Sequence, residues 1–176
     1  PFSIVAVQPG SPAEKAGLRA GQLILQVNGK TPRGLADFSS LVTANTNHTA
    51  TLEVEQNGER RTIRAQLVPF DDLIRQKIGL AMLNLTPQTA ANFQVNPGEG
   101  LFLEEIEKNG PADRAQLQRG FLLTGMDGEG VGDLKSVAII LSTKKPGERV
   151  RLTVLVPQRS GNYVGYRQGT VEVKVR

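Results

Sequence analysis

Apolar and polar positions along the chain fall into short blocks with two alternating periods. Ile4 to Val7, Leu23 to Val27, Leu101 to Ile106 and Leu122 to Met126 read as apolar strands. Leu35, Phe38, Leu41 and Val42 recur at helical spacing, as do Leu134, Val137, Ala138 and Leu141. Two closing hairpins follow these helices. Thr51 to Glu55 turns at Asn57-Gly58 into Arg61 to Leu67, and Arg149 to Val156 turns through Arg159-Ser160-Gly161-Asn162 into Thr170 to Val175. Short helices start where a polar residue precedes proline. Ser11 caps, Pro12 suits the first helical position and Glu14 completes a capping box. Gly110 with Asp113 does this more weakly, and Asp133 caps the later helix.

These blocks occur twice in the same order. Ser11-Pro12-Ala13-Glu14-Lys15-Ala16-Gly17-Leu18-Arg19-Ala20-Gly21 returns as Gly110-Pro111-Ala112-Asp113-Arg114-Ala115-Gln116-Leu117-Gln118-Arg119-Gly120. The offset is constant, and it extends to Leu23 with Leu122 and to Asn28-Gly29 with Asp127-Gly128. A solenoid would repeat at a shorter period and in more copies, so the pattern predicts two domains. The boundary is expected near Pro69-Phe70-Asp71-Asp72, giving 1–69 and 70–176. Pro69 closes the last strand of the first copy, and the acidic pair after it reads as a turn or linker. Each copy is expected to be mainly β or α+β, a small, partly open antiparallel barrel with two helices.

Composition narrows the chemistry. The 176 residues include no Cys and one His, His48. Thiolate chemistry, disulfides and Cys-based metal sites are thereby excluded, and a lone His supplies no zinc ligand cluster. No cofactor or metal is expected. The net charge of +4 is spread over both halves without a basic tail, which does not point to nucleic acid. A pI of about 9.6 favours acidic partners, peptide carboxylates among them. No run of apolar residues is long enough for a membrane-spanning helix.

The phrase Val7-Gln8-Pro9-Gly10-Ser11-Pro12-Ala13-Glu14-Lys15-Ala16-Gly17-Leu18, running into Gly21-Gln22-Leu23-Ile24 and Val27-Asn28-Gly29-Lys30, resembles the PDZ domains of the HtrA family of bacterial serine proteases. The second copy carries it more loosely, as Asn109-Gly110-Pro111-Ala112 to Gly120 and Met126-Asp127-Gly128. Similar phrases occur in the PDZ domains of site-2 proteases, C-terminal processing proteases and secretion components. The resemblance implies two PDZ-like domains that bind C-terminal or extended apolar segments by adding them to a sheet edge. It implies that a loop of backbone N–H groups receives a terminal carboxylate.

On that resemblance, Gly98, Gly100, Leu101, Phe102 and Leu103 form the carboxylate loop and strand edge of the second copy, and Val137, Ala138 and Leu141 its helical wall. In the first copy the corresponding positions are Phe2, Ser3 and Ile4, with Phe38, Leu41 and Val42 as the wall. There Pro1 has no N–H to donate, and the family's preceding strand is missing. Either an upstream segment supplies it, or the strand after Asn57-Gly58 closes the sheet differently. The start at Pro1 reads as a cut inside a larger protein. The implied whole is an HtrA-like, trypsin-type serine protease with its protease domain upstream, exported or periplasmic, engaged in protein quality control.

Plainer readings stand beside these. Apolar strands and amphipathic helices are ordinary core. His48 sits in a polar turn. Asn47-His48-Thr49 and Asn84-Leu85-Thr86 fit glycosylation triplets that are common by chance. Lys144-Lys145 with Arg149 and Arg151 is a solvated face. Gly128-Glu129-Gly130-Val131-Gly132 has Asp133 where a dinucleotide loop needs its third Gly. One His in a polar loop and no Gly-x-Ser-x-Gly elbow leave no Ser-His centre, so the chain itself is expected not to be an enzyme. The alternatives to a protease regulatory module are a stand-alone scaffold or adaptor and a structural assembly module, with homo-oligomers open to either.

Overall fold

The computed structural model describes residues 1–176. The chain divides into two compact units, Pro1–Pro69 and Phe70–Arg176. Each has its own antiparallel sheet and its own apolar cluster.

Unit 1 contains β1 (Phe2–Ser3), α1 (Pro12–Lys15), β2 (Leu23–Val27), α2 (Leu35–Val42), β3 (Thr49–Gln56) and β4 (Glu59–Gln66). Its strands lie in the order β1-β2-β3-β4. The α1 start follows from its side chains. Ser11 Oγ accepts the Glu14 amide at 3.2 Å, and the Glu14 carboxylate accepts the Gly10 amide at 2.7 Å. Alternation along β3 sends Ala50, Leu52 and Val54 into the core. The strand expected at Ile4 to Val7 is instead β1, two residues long and ending before Ile4. Ile4 still exchanges backbone bonds with Gln22 and Gly21, at 2.9 and 2.8 Å, and the chain then leaves the sheet.

Unit 2 repeats this plan and adds to it. Its elements are α3 (Phe70–Ile78), β5 (Leu80–Asn84), α4 (Pro87–Asn92), β6 (Leu101–Ile106), α5 (Pro111–Arg114), β7 (Leu122–Met126), β8 (Glu129–Gly130), α6 (Leu134–Ser142), β9 (Arg149–Ser160) and β10 (Tyr163–Lys174). The main sheet runs β10-β9-β7-β6-β5, with β8 paired to β7. Leu80, Met82, Leu101, Leu103, Met126, Val137 and Leu141 form its core with Ile74 and Ile78. A satellite cluster of Leu85, Ala90 and Leu122, with Phe93 and Phe102 against it, fills the other face of β6.

Three expectations change here. The acidic pair Asp71-Asp72 is the first turn of α3, not a linker. Carboxylates suit the positive end of a helix, and Ile74 and Ile78, four residues apart, bury one stripe of it. Unit 2 has four helices instead of two. Its closing hairpin is four residues per strand longer than that of unit 1, because Tyr166 anchors it. The Tyr166 hydroxyl donates to the Asn92 carbonyl at 3.2 Å, and its ring lies 5.0 Å from that of Phe93.

Candidate functional site

A strand accepts another strand only where its own N–H and C=O groups are free on one side. In unit 2 that strand is β5. It terminates the sheet, pairs with β6 alone, and its residues make no backbone hydrogen bond to any other element. Leu80 and Met82 point into the core, while Leu83 is 48% exposed. A hollow of about 140 Å³ at the start of the strand is lined by Arg75, Gly79, Leu80, Ala81, Glu105 and Glu107.

The strand edge expected at Leu101, Phe102 and Leu103 is not open. These residues lie in β6, which is paired on one side to β5 and on the other to β7. Leu101 and Leu103 are buried in the core, and Phe102 packs beside Phe93 with ring centroids 6.2 Å apart. The wall residues Val137, Ala138 and Leu141 are likewise buried, in one cluster with Ile74, Ile78, Leu80 and Met82. The amphipathic spacing of α6 is therefore core spacing, supplied by α3 and β5.

The loop at Gly98 and Gly100 is not arranged to receive a carboxylate. The Glu99 carboxylate accepts from the Asn96 amide at 3.2 Å and from its side-chain NH₂ at 3.0 Å. Those hydrogen bonds hold the Glu99 carboxyl below the ordinary glutamate range. An incoming anion would meet that charge. Gly98 does use a positive φ, and its carbonyl abuts Gly132 so closely that a Cβ at 132 would collide with it. A side chain at Gly100 would press on Leu122. Gly98 therefore serves the turn conformation, and Gly100 serves close packing.

The turn into β5 has its first amide already occupied. Ile78 ends α3, and the Gly79 amide donates to the Arg75 carbonyl at 3.0 Å. Arg176 closes this helix end, donating to the carbonyls of Arg75 and Gln76 at 2.9 Å each and to the Glu107 carboxylate at 3.0 Å. The Arg176 guanidinium holds the Glu107 carboxyl below its usual value.

Unit 1 differs in one respect. Its end strand β1 pairs with β2 alone, so the outer side of Phe2 and Ser3 is free of a strand. Phe2 packs on Phe38 at 5.6 Å, and Phe2, Ile4, Phe38, Leu41 and Val42 are only half-buried while Ser3 is exposed. Ninety-nine positions on from Phe2, Phe38 and Val42 stand Leu101, Val137 and Leu141, each with no exposed surface. The difference is α3 and β5, which cover that face in unit 2 and have no counterpart in residues 1–69.

Sequence reasoning overlooked α3, β5 and α4. Two signals mark them. Leu80-Ala81-Met82-Leu83 is an apolar run after a glycine, and Thr86-Pro87 repeats the Ser11-Pro12 cap, with Thr86 Oγ1 accepting the Thr89 amide at 3.1 Å.

Two antiparallel sheets, each with a Pro-led short helix before an inner strand and a longer helix before a closing hairpin, define PDZ-like domains. The PDZ domain family matches residues 3–56. The chain is 30% identical over 157 residues to a probable periplasmic serine endoprotease DegP-like of Chlamydia muridarum (strain MoPn / Nigg), covering 86% of this chain and 31% of that protein. It is 27% identical over 142 residues to the periplasmic pH-dependent serine endoprotease DegQ of Escherichia coli (strain K12), covering 78% of this chain and 30% of that one. An HtrA-type protease, AlgW with tripeptide, superposes with a TM-score of 0.49 at 15% identity over 88% of this chain and 58% of that chain. The chain thus resembles the PDZ domains of HtrA-family bacterial serine proteases and spans about a third of the length of the curated relatives it matches.

Proposed function

We propose that this chain is a peptide-binding module of an HtrA-like, trypsin-type serine protease, and that unit 2 binds extended apolar segments by strand addition at β5. The observation that carries this reading is the free outer edge of β5, with the exposed Leu83 beside it. Main-chain ladder bonds supply the affinity, and Leu83 supplies an apolar contact to alternate side chains of the added strand. The Gly79 amide, already bonded to the Arg75 carbonyl at the start of β5, favours internal segments over free C-termini. Such segments are exposed in unfolded proteins. The parent protease and its periplasmic location rest on the names of the relatives.

The test is amide hydrogen exchange of the whole chain with and without an apolar decapeptide. Protection of residues 80–84 on binding is expected. Leu83→Asp should weaken binding about tenfold, since burying one leucine side chain is worth about 1.5–3 kcal/mol and part of that contact is lost. Amidating the peptide should change little. A complex that leaves 80–84 exchanging at the free rate would refute strand addition at β5.

A second reading has its own observation, the half-covered apolar face of unit 1. A strand with alternate apolar residues added at β1 would bury Phe2, Phe38 and Val42 as β5 buries their counterparts. Protection confined to residues 2–4 in the same experiment would select this reading.

A further inference from the structure

A second cleft of unit 2 is formed by residues that do not belong to β5. It measures about 510 Å³, within the range of ligand sites, and sits in unit 2 between α5 and the end of β10. Four cations line it, Arg114, Arg149, Lys174 and Arg176, against one carboxylate, Glu172. Cross-strand pairing explains part of the clustering. Lys174 lies opposite Arg149 and Glu172 opposite Arg151 on the β9–β10 ladder.

The charges are not balanced within the protein. Glu172 is shared by Arg149 at 3.2 Å and Arg151 at 3.8 Å, and Arg176 is engaged by Glu107. Arg114 and Lys174 have no ion pair and no side-chain hydrogen bond. Like charges gathered around one concavity raise its potential and concentrate anions there. The other wall is the outer edge of β10, the second terminal strand of this sheet, whose backbone groups are available to an extended chain.

We infer that this cleft binds an acidic peptide segment, with carboxylates at Arg114 and Lys174 and backbone pairing along the end of β10. The cation pair selects the charge, and the strand edge selects a polypeptide over a compact anion. This site is separate from β5 in residues and in chemistry. It stands whether or not apolar segments bind at β5.

The test uses the whole chain and a fluorescent octapeptide of alternating Glu and Ala, with the Gln-for-Glu peptide as its neutral match. Anisotropy at low salt should show binding of the acidic peptide alone, weakening as salt rises. Arg114→Gln with Lys174→Gln should weaken it about tenfold, the scale of two partly screened ion contacts. Both side chains are exposed and unbonded, so folding should be unaffected. Arg159→Gln with Arg167→Gln, on the distant hairpin tip, should leave binding intact, as should Leu83→Asp. Equal weakening by the two double variants would mean diffuse charge attraction and overturn the site. So would absence of binding at low salt. Displacement of the peptide by tripolyphosphate at matching affinity would overturn the peptide assignment in favour of a simple anion site.

Discussion

The repeat places Asn28 and Asp127 at equivalent turns, and each solves the same local problem with different chemistry. Both adopt a positive φ of 50° ahead of a glycine, a conformation these short polar residues tolerate. Asn28 Nδ2 donates to the Leu41 carbonyl at 2.6 Å, and its Oδ1 accepts the Thr51 amide at 2.9 Å, so one side chain ties the end of α2 to β3. Asn28→Ala removes both bonds and strains the turn. A loss of about 2–3 kcal/mol is expected from a part-buried polar network, read as a lower urea midpoint. Asp127 accepts the Arg151 amide at 2.9 Å and pairs with Lys144 at 2.7 Å. Partial burial pushes its carboxyl up, but that amide and the Lys144 ammonium outweigh it and hold the carboxyl below the usual aspartate range. The folded carboxyl is the stronger acid. Its contribution is complete above the ordinary aspartate value and drains away as pH falls through the lower, folded-state value. Asp127→Asn should therefore cost stability at pH 6 and progressively less in acid. A stability gap that stays constant down to about pH 2 would show that the charge does not matter.

At the level of elements, sequence periodicity gave the right secondary structure more often than it gave the right exposure. The inner strands β2, β6 and β7 and the core stripe of α6 follow from their apolar patterns. The same pattern cannot tell a core stripe from a groove wall, since both are apolar at helical spacing. Leu101 and Val137 illustrate this, because the neighbours that bury them, α3 and β5, come from residues 70–84, where the repeat has no counterpart in the first copy. The approach of Gly98 to Gly132 is also invisible in sequence, since it joins two loops over thirty residues apart. Gly132→Ala forces those loops apart. A loss of about 1–3 kcal/mol is expected, as for overpacked sites, and faster amide exchange over residues 96–100 would locate it.

The two compact units carry separate apolar clusters, and those clusters differ in completeness. Unit 2 buries nineteen residues in its main cluster and unit 1 buries seven. The fragment 70–176 is therefore expected to fold alone and unfold cooperatively, whereas 1–69 alone should be less stable and should bind a hydrophobic dye at its half-covered α2 face. Calorimetry of the two fragments checks this. A fragment 70–176 without a cooperative transition would show that its core depends on the rest of the chain.

By itself the sequence determined what is local and what is repeated. Caps such as Ser11 and Asp133, turns such as Asn28-Gly29, the order of elements at an offset of ninety-nine and the PDZ-like, mainly β class all rest on interactions between near neighbours or on one pattern written twice. Only the tertiary structure decided which strand lies at the edge and which side chains stay exposed. Those properties depend on long-range pairing. A strand such as β6 is an edge or a centre according to whether another segment, twenty residues away, lies down beside it. The cationic cleft arises for the same reason, since Arg114 and Lys174 are sixty residues apart and meet only when α5 packs beside β10.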